Sequence, residues 1–276
     1  MLFKFTKMEG LGNDFVIIDA RGKNFNFRPE QLRRIADRRR GIGCDQILLI
    51  DEAKSRAADF SYKVVNADGT SAEHCGNGLR CVILYLNQKN DIDERACAEV
   101  GDELYYGDVL SENMVRVNMG SPNFIPQKVG LLEKSVLDRY TLDSDDDEIS
   151  YGAVSMGNPH AVVEVKSLED TDVEKLGKKI QSGAGFQNGV NVGFCEFVSE
   201  SLINLKVWER GVGETPACGT GACAAVAVGF KWGKLSPVVN VRQTGGDLLI
   251  EWDGDEDGDL RMTGAANHIF EGTIII

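Results

Sequence analysis

A chain of 276 residues, 42% hydrophobic and 26% charged, has the composition of a soluble globular protein and the length of one large or two medium domains. Its 30 Lys and Arg against 43 Asp and Glu leave a formal net charge of −13, which argues against nucleic acid or an anionic membrane surface as the main partner. No apolar run approaches the roughly 20 residues a bilayer helix needs, and Glu9 and Asp14 interrupt any apolar stretch near the start. A membrane span and a signal peptide are not expected, and the chain reads as cytosolic.

The first β-branched run, FVIID (15–19), predicts a strand. PEQLRRIADRRRG follows, with Pro29 suited to a first helical turn, and predicts a helix that ends at Gly41. Its arginines 33, 34, 38, 39 and 40 read as a solvated helix face. CGNG (75–78) then opens the run LRCVILYL, which carries a single charge. DSDDDE (143–148) reads as a charged surface loop and HAVVEV (160–165) as a second strand. TDVEKLGKKIQSG has the Thr171/Glu174 spacing of a capping box and predicts a helix stopping near Gly183. CGTG (218–221) opens ACAAVAVGF, which has no charge at all. DGDEDGD (253–259) matches half of an EF-hand loop, but position 12 would be Gly264 instead of Glu, so a solvated acidic turn is expected. Neither GLGNDF nor GVGETP completes a dinucleotide or phosphate-binding fingerprint.

Seven cysteines at irregular spacings, no C-x-x-C and only three histidines leave zinc and thioredoxin-like motifs without their ligands. Cys44, Cys81, Cys97, Cys195 and Cys223 sit among apolar neighbours and read as small buried hydrophobes. Cys75 and Cys218 sit at turns.

Sliding the chain against itself explains the pair. At an offset of 145, GNDFVIID (12–19) falls on GNPHAVVE (157–164), Ile35 on Ile180 and Gln46 on Asn191. At 143, YKVVNADG falls on LKVWERGV and the first C-G-x-G on the second. A duplicated unit of about 140 residues follows, hence two similar domains and not a short-period solenoid. A helix apolar all round is buried on all sides, so each domain is expected to wrap a sheet round a central helix with the cysteine at its entrance. The fold class is α/β (α+β).

Glycines let the backbone turn tightly and approach a ligand, and a helix N-terminus offers unpaired N–H groups to a carboxylate. The same donors favour a thiolate. Duplication about a pseudo-two-fold axis would set Cys75 and Cys218 on opposite sides of an interdomain cleft, one thiolate to remove a proton and one thiol to deliver another. The product is the mirror configuration at that carbon. No pyridoxal-type lysine motif is evident, so the chemistry is expected to need no cofactor and no metal.

The motifs KMEGLGNDF, GIGCDQIL, NADGTSAEHCGNGLRC, MGNPHAV, NGVNVGF and WERGVGETPACGTGACAA resemble those of diaminopimelate epimerases over essentially the whole chain. That resemblance implies a cofactor-independent isomerase interconverting LL- and meso-diaminopimelate, a step toward lysine and peptidoglycan precursors. It implies two barrel-like domains, residues 1–118 plus 265–276 and residues 119–264. Carried over by position, Cys75 and Cys218 are the catalytic pair, with His160 and Glu209 tuning the thiols. Substrate-binding positions fall on Asn13, Gln46, Asn66, Asn158, Asn191, Glu209 and Arg210, with backbone donors from Gly76, Asn77, Gly219 and Thr220. Amides and one arginine suit the ammonium and carboxylate of an amino-acid centre. A homodimer is expected, although Phe270 stands where some relatives carry a tyrosine linked to dimerisation; His74, before Cys75, is a second departure. The rival readings are a proline racemase or hydroxyproline epimerase, a thiol redox sensor using the same pair, and a binding protein without catalysis.

Overall fold

In NDFVIID the four residues Phe15 to Ile18 are all buried, so this strand has cover on both faces. That demand organises the fold. The computed structural model describes residues 2–23, 25–72, 75–143, 148–255 and 258–276. The core of DSDDDE, His74 and part of DGDEDGD therefore lie outside the described residues. The chain divides into Met1–Asn118 with Thr263–Ile276, and Met119–Met262.

The first unit carries β1 (Leu2–Gly10), β2 (Asn13–Asp19), α1 (Pro29–Ala36), β3 (Gln46–Asp51), β4 (Phe60–Asn66), β5 (Ser71–Ala72), α2 (Gly76–Gln88), β6 (Arg95–Val100), β7 (Glu103–Val109) and β8 (Met114–Asn118). The second carries α3 (Pro126–Val129), β9 (Tyr140–Asp143), β10 (Glu148–Ser155), β11 (Pro159–Glu164), α4 (Val173–Gly183), β12 (Asn191–Ser199), β13 (Leu202–Glu209), β14 (Gly213–Thr215), α5 (Gly219–Lys231), β15 (Val238–Gln243) and β16 (Gly246–Glu251). Within β17 (Arg261–Ala265) the chain re-enters the first unit, and β18 (Asn267–Ile275) pairs antiparallel with β1. This is a mixed α/β fold.

The duplication is written in strand register. β2 and β3 run parallel with Phe15 opposite Gln46, and β11 and β12 run parallel with His160 opposite Asn191, each partner 145 further on. β4 and β6 set Phe60 opposite Ala98, and β13 and β15 set Ile203 opposite Val241, each 143 further on. Register is a backbone property, and a one-residue slip would turn every side chain to the wrong face. Two units sharing it at the offsets of the sequence repeat are copies of one plan.

In each unit one helix lies inside. Ten of the thirteen residues of α2 are buried, packed against β1, β2, β3, β7 and β8. α5 is buried from Gly221 to Gly229 against β10, β11, β12, β13 and β16. The outer sheet face is covered by α1 through Leu32, Ile35 and Ala36, which join Phe3, Val16, Ile18, Ile47 and Val65. α4 does the same with Val173 and Ile180 against Val163, Val192 and Phe194. Each such aliphatic side chain taken out of water contributes roughly 1.5–3 kcal/mol. The five cysteines expected inside, Cys44, Cys81, Cys97, Cys195 and Cys223, are all buried. Among the described residues no helix is long and apolar enough to cross a membrane.

Two helix ends differ from expectation. α1 stops at Ala36, not Gly41, because the Asp37 carboxylate accepts from the Arg39 and Arg40 amides at 2.8 and 2.7 Å and turns the chain away. α4 is capped by Asp172, whose Oδ1 accepts from Lys175 N at 3.0 Å, and not by Thr171. The Thr171 hydroxyl instead donates to Ser167 O at 2.6 Å. The arginines 33, 34, 39 and 40 are exposed as expected, whereas Arg38 is anchored to Asp14 and Asp45.

Candidate active site

Cys75 and Cys218 are the N-cap residues of α2 and α5, with φ/ψ of −121/109° and −126/112°. Each sulfur accepts from the amide three residues on, Gly78 N at 3.4 Å and Gly221 N at 3.3 Å. An N-cap side chain normally supplies an oxygen there; here a thiol takes its place, where amide donors and the helix dipole favour the thiolate. The second glycine of each motif is needed for space. A Cβ at Gly221 would lie 2.9 Å from Val207 Cγ2 and 3.2 Å from Cys218 Sγ, and one at Gly78 3.1 Å from Leu48 Cδ2. The N1 and N2 amides, Gly76–Asn77 and Gly219–Thr220, belong to first turns that have no intrahelical acceptors to offer.

In the first unit, the β1–β2 hairpin turns through Leu11 and Gly12, both at positive φ, and delivers Asn13 opposite Gly10. Gln46 begins β3 opposite Asn66. A chain of bonds fixes the amide orientations: the Thr70 hydroxyl donates to Asp68 at 2.6 Å and Asn66 Nδ2 donates to Thr70 at 3.2 Å. Asn66 Oδ1 then accepts from Gln46 Nε2 at 3.0 Å. Asp68 can only accept, so the order runs one way and leaves Gln46 Oε1 as a bare acceptor. Gln46 Oε1, Asn13 Oδ1 and Asn77 Oδ1 are all buried without a hydrogen-bond partner. Each costs about 1–3 kcal/mol until a donor arrives. An ammonium group has the matching donors. Asn77 adjoins the hairpin, since a Cβ at Gly10 would lie 3.6 Å from Asn77 O.

The residues flanking Asn13 and Gln46 lock that geometry. Asp14 and Asp45 exchange amide bonds, Asp14 N to Asp45 Oδ2 at 3.1 Å and Asp45 N to Asp14 Oδ1 at 2.8 Å. Arg38 bridges both carboxylates, and buried Lys7 pairs with Asp14 at 2.6 Å and donates to Gly43 O. Burial alone would raise the Asp14 carboxyl, but the bonds from Arg38 and Lys7 hold it well below the ordinary range.

In the second unit the polar side chains join into one chain. His160, 1% exposed, meets Asn158 Oδ1 through Nε2 at 2.9 Å. Asn158 Nδ2 donates to Thr220 Oγ1 at 3.4 Å, and that hydroxyl lies 3.6 Å from Cys218 Sγ. His160 thus reaches Cys218 through two intermediaries. Asn158 Oδ1 can only accept, so Nε2 carries the ring proton and Nδ1 is left as a buried acceptor without a partner. Burial first, and the Arg210 guanidinium second, push His160 down to about 3, so the ring is neutral at physiological pH.

Glu209, ending β13, accepts from the Thr215 hydroxyl at 2.5 Å. Burial raises its carboxyl above the ordinary value against hydrogen bonds from Thr215 and Cys218. Asn191 Oδ1 accepts from Arg210 N at 2.8 Å, and Arg210 Nη1 donates to Asn188 O at 2.9 Å, leaving an exposed guanidinium over Gly189. Within the first unit the structure brings together Asn13, Gln46, Asn66, Gly76 and Asn77; within the second, Asn158, His160, Asn191, Glu209, Arg210, Gly219 and Thr220. Sequence reasoning missed Thr215, and also Gln243, whose Oε1 accepts from Cys218 N at 2.8 Å. Neither had a signal: the 143-residue offset sets Val100 against Gln243 and so points away from it. Among the described residues no group of three or more His, Cys, Asp or Glu is placed to hold a metal ion.

The family model described as diaminopimelate epimerase matches residues 5–125 and 152–269. The diaminopimelate epimerase of Teredinibacter turnerae is 44% identical over 279 residues, covering 99% of each chain. That of Nitrosospira multiformis is 45% identical over 278 residues, again covering 99% of each. Among solved structures, a hydroxyproline epimerase from Agrobacterium vitis with bound trans-4-hydroxy-L-proline aligns at TM-score 0.72 and 15% identity, covering 99% of this chain and 92% of that one. A PhzF-family phenazine biosynthesis protein from Bacillus anthracis aligns at TM-score 0.70 and 17% identity over the full length of both. Those two likenesses carry the fold alone. The sequence matches carry more: the chain belongs to the diaminopimelate epimerase family of isomerases.

Proposed function

We propose that this protein interconverts LL- and meso-diaminopimelate by a two-base reaction of Cys75 and Cys218, in supply of lysine and peptidoglycan precursors. The observation that carries the reading is the pair of thiol N-caps, alike in backbone angles and in the amide each sulfur accepts, at duplicated positions. In the proposed step, one thiolate takes the α-proton, breaking C–H and forming S–H. The other thiol gives its proton to the opposite face, breaking S–H and forming C–H. The net result is inversion, with the enzyme's remaining proton on the first sulfur instead of the second. The reading requires both turns to meet one α-carbon.

Negative charge that builds on the substrate carboxylate as the carbanion forms would be met by the amides of Gly76, Asn77, Gly219 and Thr220. The bare acceptors of Asn13, Gln46 and Asn77 suit an ammonium, and the exposed Arg210 guanidinium suits the carboxylate of the distal centre. Asn66, Asn158 and Asn191 act by holding Gln46, Thr220 and Arg210 in place. His160 and Glu209 tune the Cys218 thiol, the first through Asn158 and Thr220 and the second directly. On this reading the two sulfurs carry every proton moved, each S–H open to exchange with solvent between turnovers, and no cofactor or metal is needed. A homodimer is part of the proposal, measurable by sedimentation velocity.

Solvent deuterium entry at the α-carbon tests the whole. LL-diaminopimelate is expected to take up one deuteron per inversion, while L-proline takes up none. Exchange into proline and not into diaminopimelate would transfer the chain to the proline racemase reading.

A further inference from the structure

The chemistry proposed above leaves one neighbour of Cys218 without a role. Gln243 is the last residue of β15 and pairs with Gly246 of β16 across the two-residue turn Thr244–Gly245. Its Oε1 accepts from Cys218 N at 2.8 Å, and Gly245 N donates to Pro216 O at 2.7 Å. The hairpin tip therefore grips the thiol-bearing segment at two points, two residues apart. An N-cap residue has non-helical φ and ψ, and its own N–H lies outside the helical ladder. The bond to Gln243 supplies that N–H with an acceptor and so fixes the plane from which the Cys218 side chain departs.

The choice of an amide is informative. Gln243 Nε2 is buried without a hydrogen-bond partner. Reversing the amide would set a donor against the Cys218 N–H, so the orphan donor is the consequence of the bond the other end makes. A glutamate would accept the same bond and leave no donor stranded. It would also set a second carboxylate beside a thiol that must ionise, and like charge opposes that ionisation. Among the described residues, the groups already facing the Cys218 sulfur include Glu209 from β13 and Thr220 Oγ1 and Gly221 N from the first turn of α5. We infer that Gln243 is a positioning residue for the reaction, aiming the Cys218 thiol through its backbone amide with an acceptor that carries no charge. The inference rests on the two-thiol reading of this site.

Two variants of the full chain separate aim from charge. Gln243→Met keeps the shape and removes the acceptor; Gln243→Glu keeps the acceptor and adds the charge. The readouts are kcat and KM for diaminopimelate, and the pH midpoint of iodoacetamide alkylation at Cys218, resolved from Cys75 by peptide mass spectrometry. Gln243→Met is expected to lower kcat by about 10-fold or more with KM within about 2-fold, as loss of orientation does. Gln243→Glu is expected to raise the Cys218 midpoint by about one pH unit, leave that of Cys75 in place, and regain kcat above the shifted midpoint. An unmoved Cys218 midpoint in Gln243→Glu, or a wild-type kcat in Gln243→Met, overturns the inference. If Gln243→Met does not fold, Gln243→Glu, which retains the bond, decides alone. Alkylation needs no turnover, so a wild-type protein inactive on diaminopimelate would sink the proposed reaction while the Cys218 midpoint still reads Gln243.

Discussion

The two thiol turns share a backbone and differ in nearly everything around it. Cys75 is half-buried, and the first unit's candidate site side chains are amides, Asn13, Gln46, Asn66 and Asn77, with the Tyr62 hydroxyl 3.5 Å from Cys75 O. At Cys218, which is buried, the duplicated positions hold groups that titrate: His160 where the first unit has Phe15, and Glu209 where it has Asn66. Both of those are shifted toward their neutral forms, chiefly by burial. Duplication preserved what the backbone must do and freed the side chains to diverge. One copy carries buried bare acceptors; the other carries a buried imidazole and a buried carboxyl.

The sharpest way to break that comparison is to remove each sulfur in turn. If the two turns are halves of one reaction, Cys75→Ala and Cys218→Ala are each expected to lower epimerisation by about 10³-fold or more. A serine at either position retains slow exchange of the α-proton by the surviving thiolate. Turnover at the wild-type rate by one alanine variant would make the turns unequal partners and end the two-base scheme.

Arg210 belongs to the second turn only, since at the 143-residue offset the first unit has Ala67. It is exposed here, and substrate would desolvate it. Arg210→Met is expected to lower kcat/KM for diaminopimelate by about 100-fold, within the roughly 2–5 kcal/mol for truncating one partner of a buried charge pair. Circular dichroism should be unchanged. A wild-type kcat/KM would take Arg210 out of the site.

The acid response separates the units thermodynamically. His160 is depressed to about 3 in the folded state against an ordinary 6.5, so between those values the unfolded chain binds the extra proton. Its contribution to stability is complete above pH 6.5 and is lost progressively as pH falls toward 3. At about 1.4 kcal/mol per pH unit, the wild type loses on the order of 2–3 kcal/mol from this group by pH 4.5. Phe15, its counterpart, cannot titrate. His160→Gln is expected to lower stability at pH 7 yet flatten the loss between pH 6.5 and 4.5, read from urea midpoints. Parallel acid curves for variant and wild type would show that the buried ring is not the group taking up the proton.

Most of the fold was legible in the sequence because duplication and apolar patterning are global signals. The buried helices followed from LRCVILYL and ACAAVAVGF lacking a polar face, and the paired cysteines from the offset. Helix ends were less legible, being settled by single side-chain bonds. Asp37 outcompeted the helical pattern at α1, and at α4 the Thr171 hydroxyl is claimed by Ser167 O, so that Asp172 caps the helix in place of the expected Thr171. Candidate residues at matched positions, such as Gln46 and Asn191, were legible as a pair from the repeat. Thr215 and Gln243 were not, because a hairpin bond brings Thr215 to Glu209 and a hairpin tip brings Gln243 to Cys218, while the 143-residue offset sets Ala72 and Val100 at their places.

The smallest expected effect isolates the hydroxyl that links His160, through Asn158, to the Cys218 sulfur. Thr220 joins Asn158 to the Cys218 sulfur by one hydroxyl, while its counterpart, Asn77, carries a buried acceptor without a hydrogen-bond partner. Thr220→Val keeps the volume and β-branching and deletes that hydroxyl. A net hydrogen bond is worth about 1 kcal/mol, so kcat is expected to fall about 5-fold, with KM little changed and the fold intact. If the hydroxyl serves as the link to His160, the double variant Thr220→Val/His160→Gln should lose less than the product of the two single losses. Multiplying losses would mean that His160 and Thr220 act separately on Cys218, and the second turn would then hold two independent influences in place of one chain.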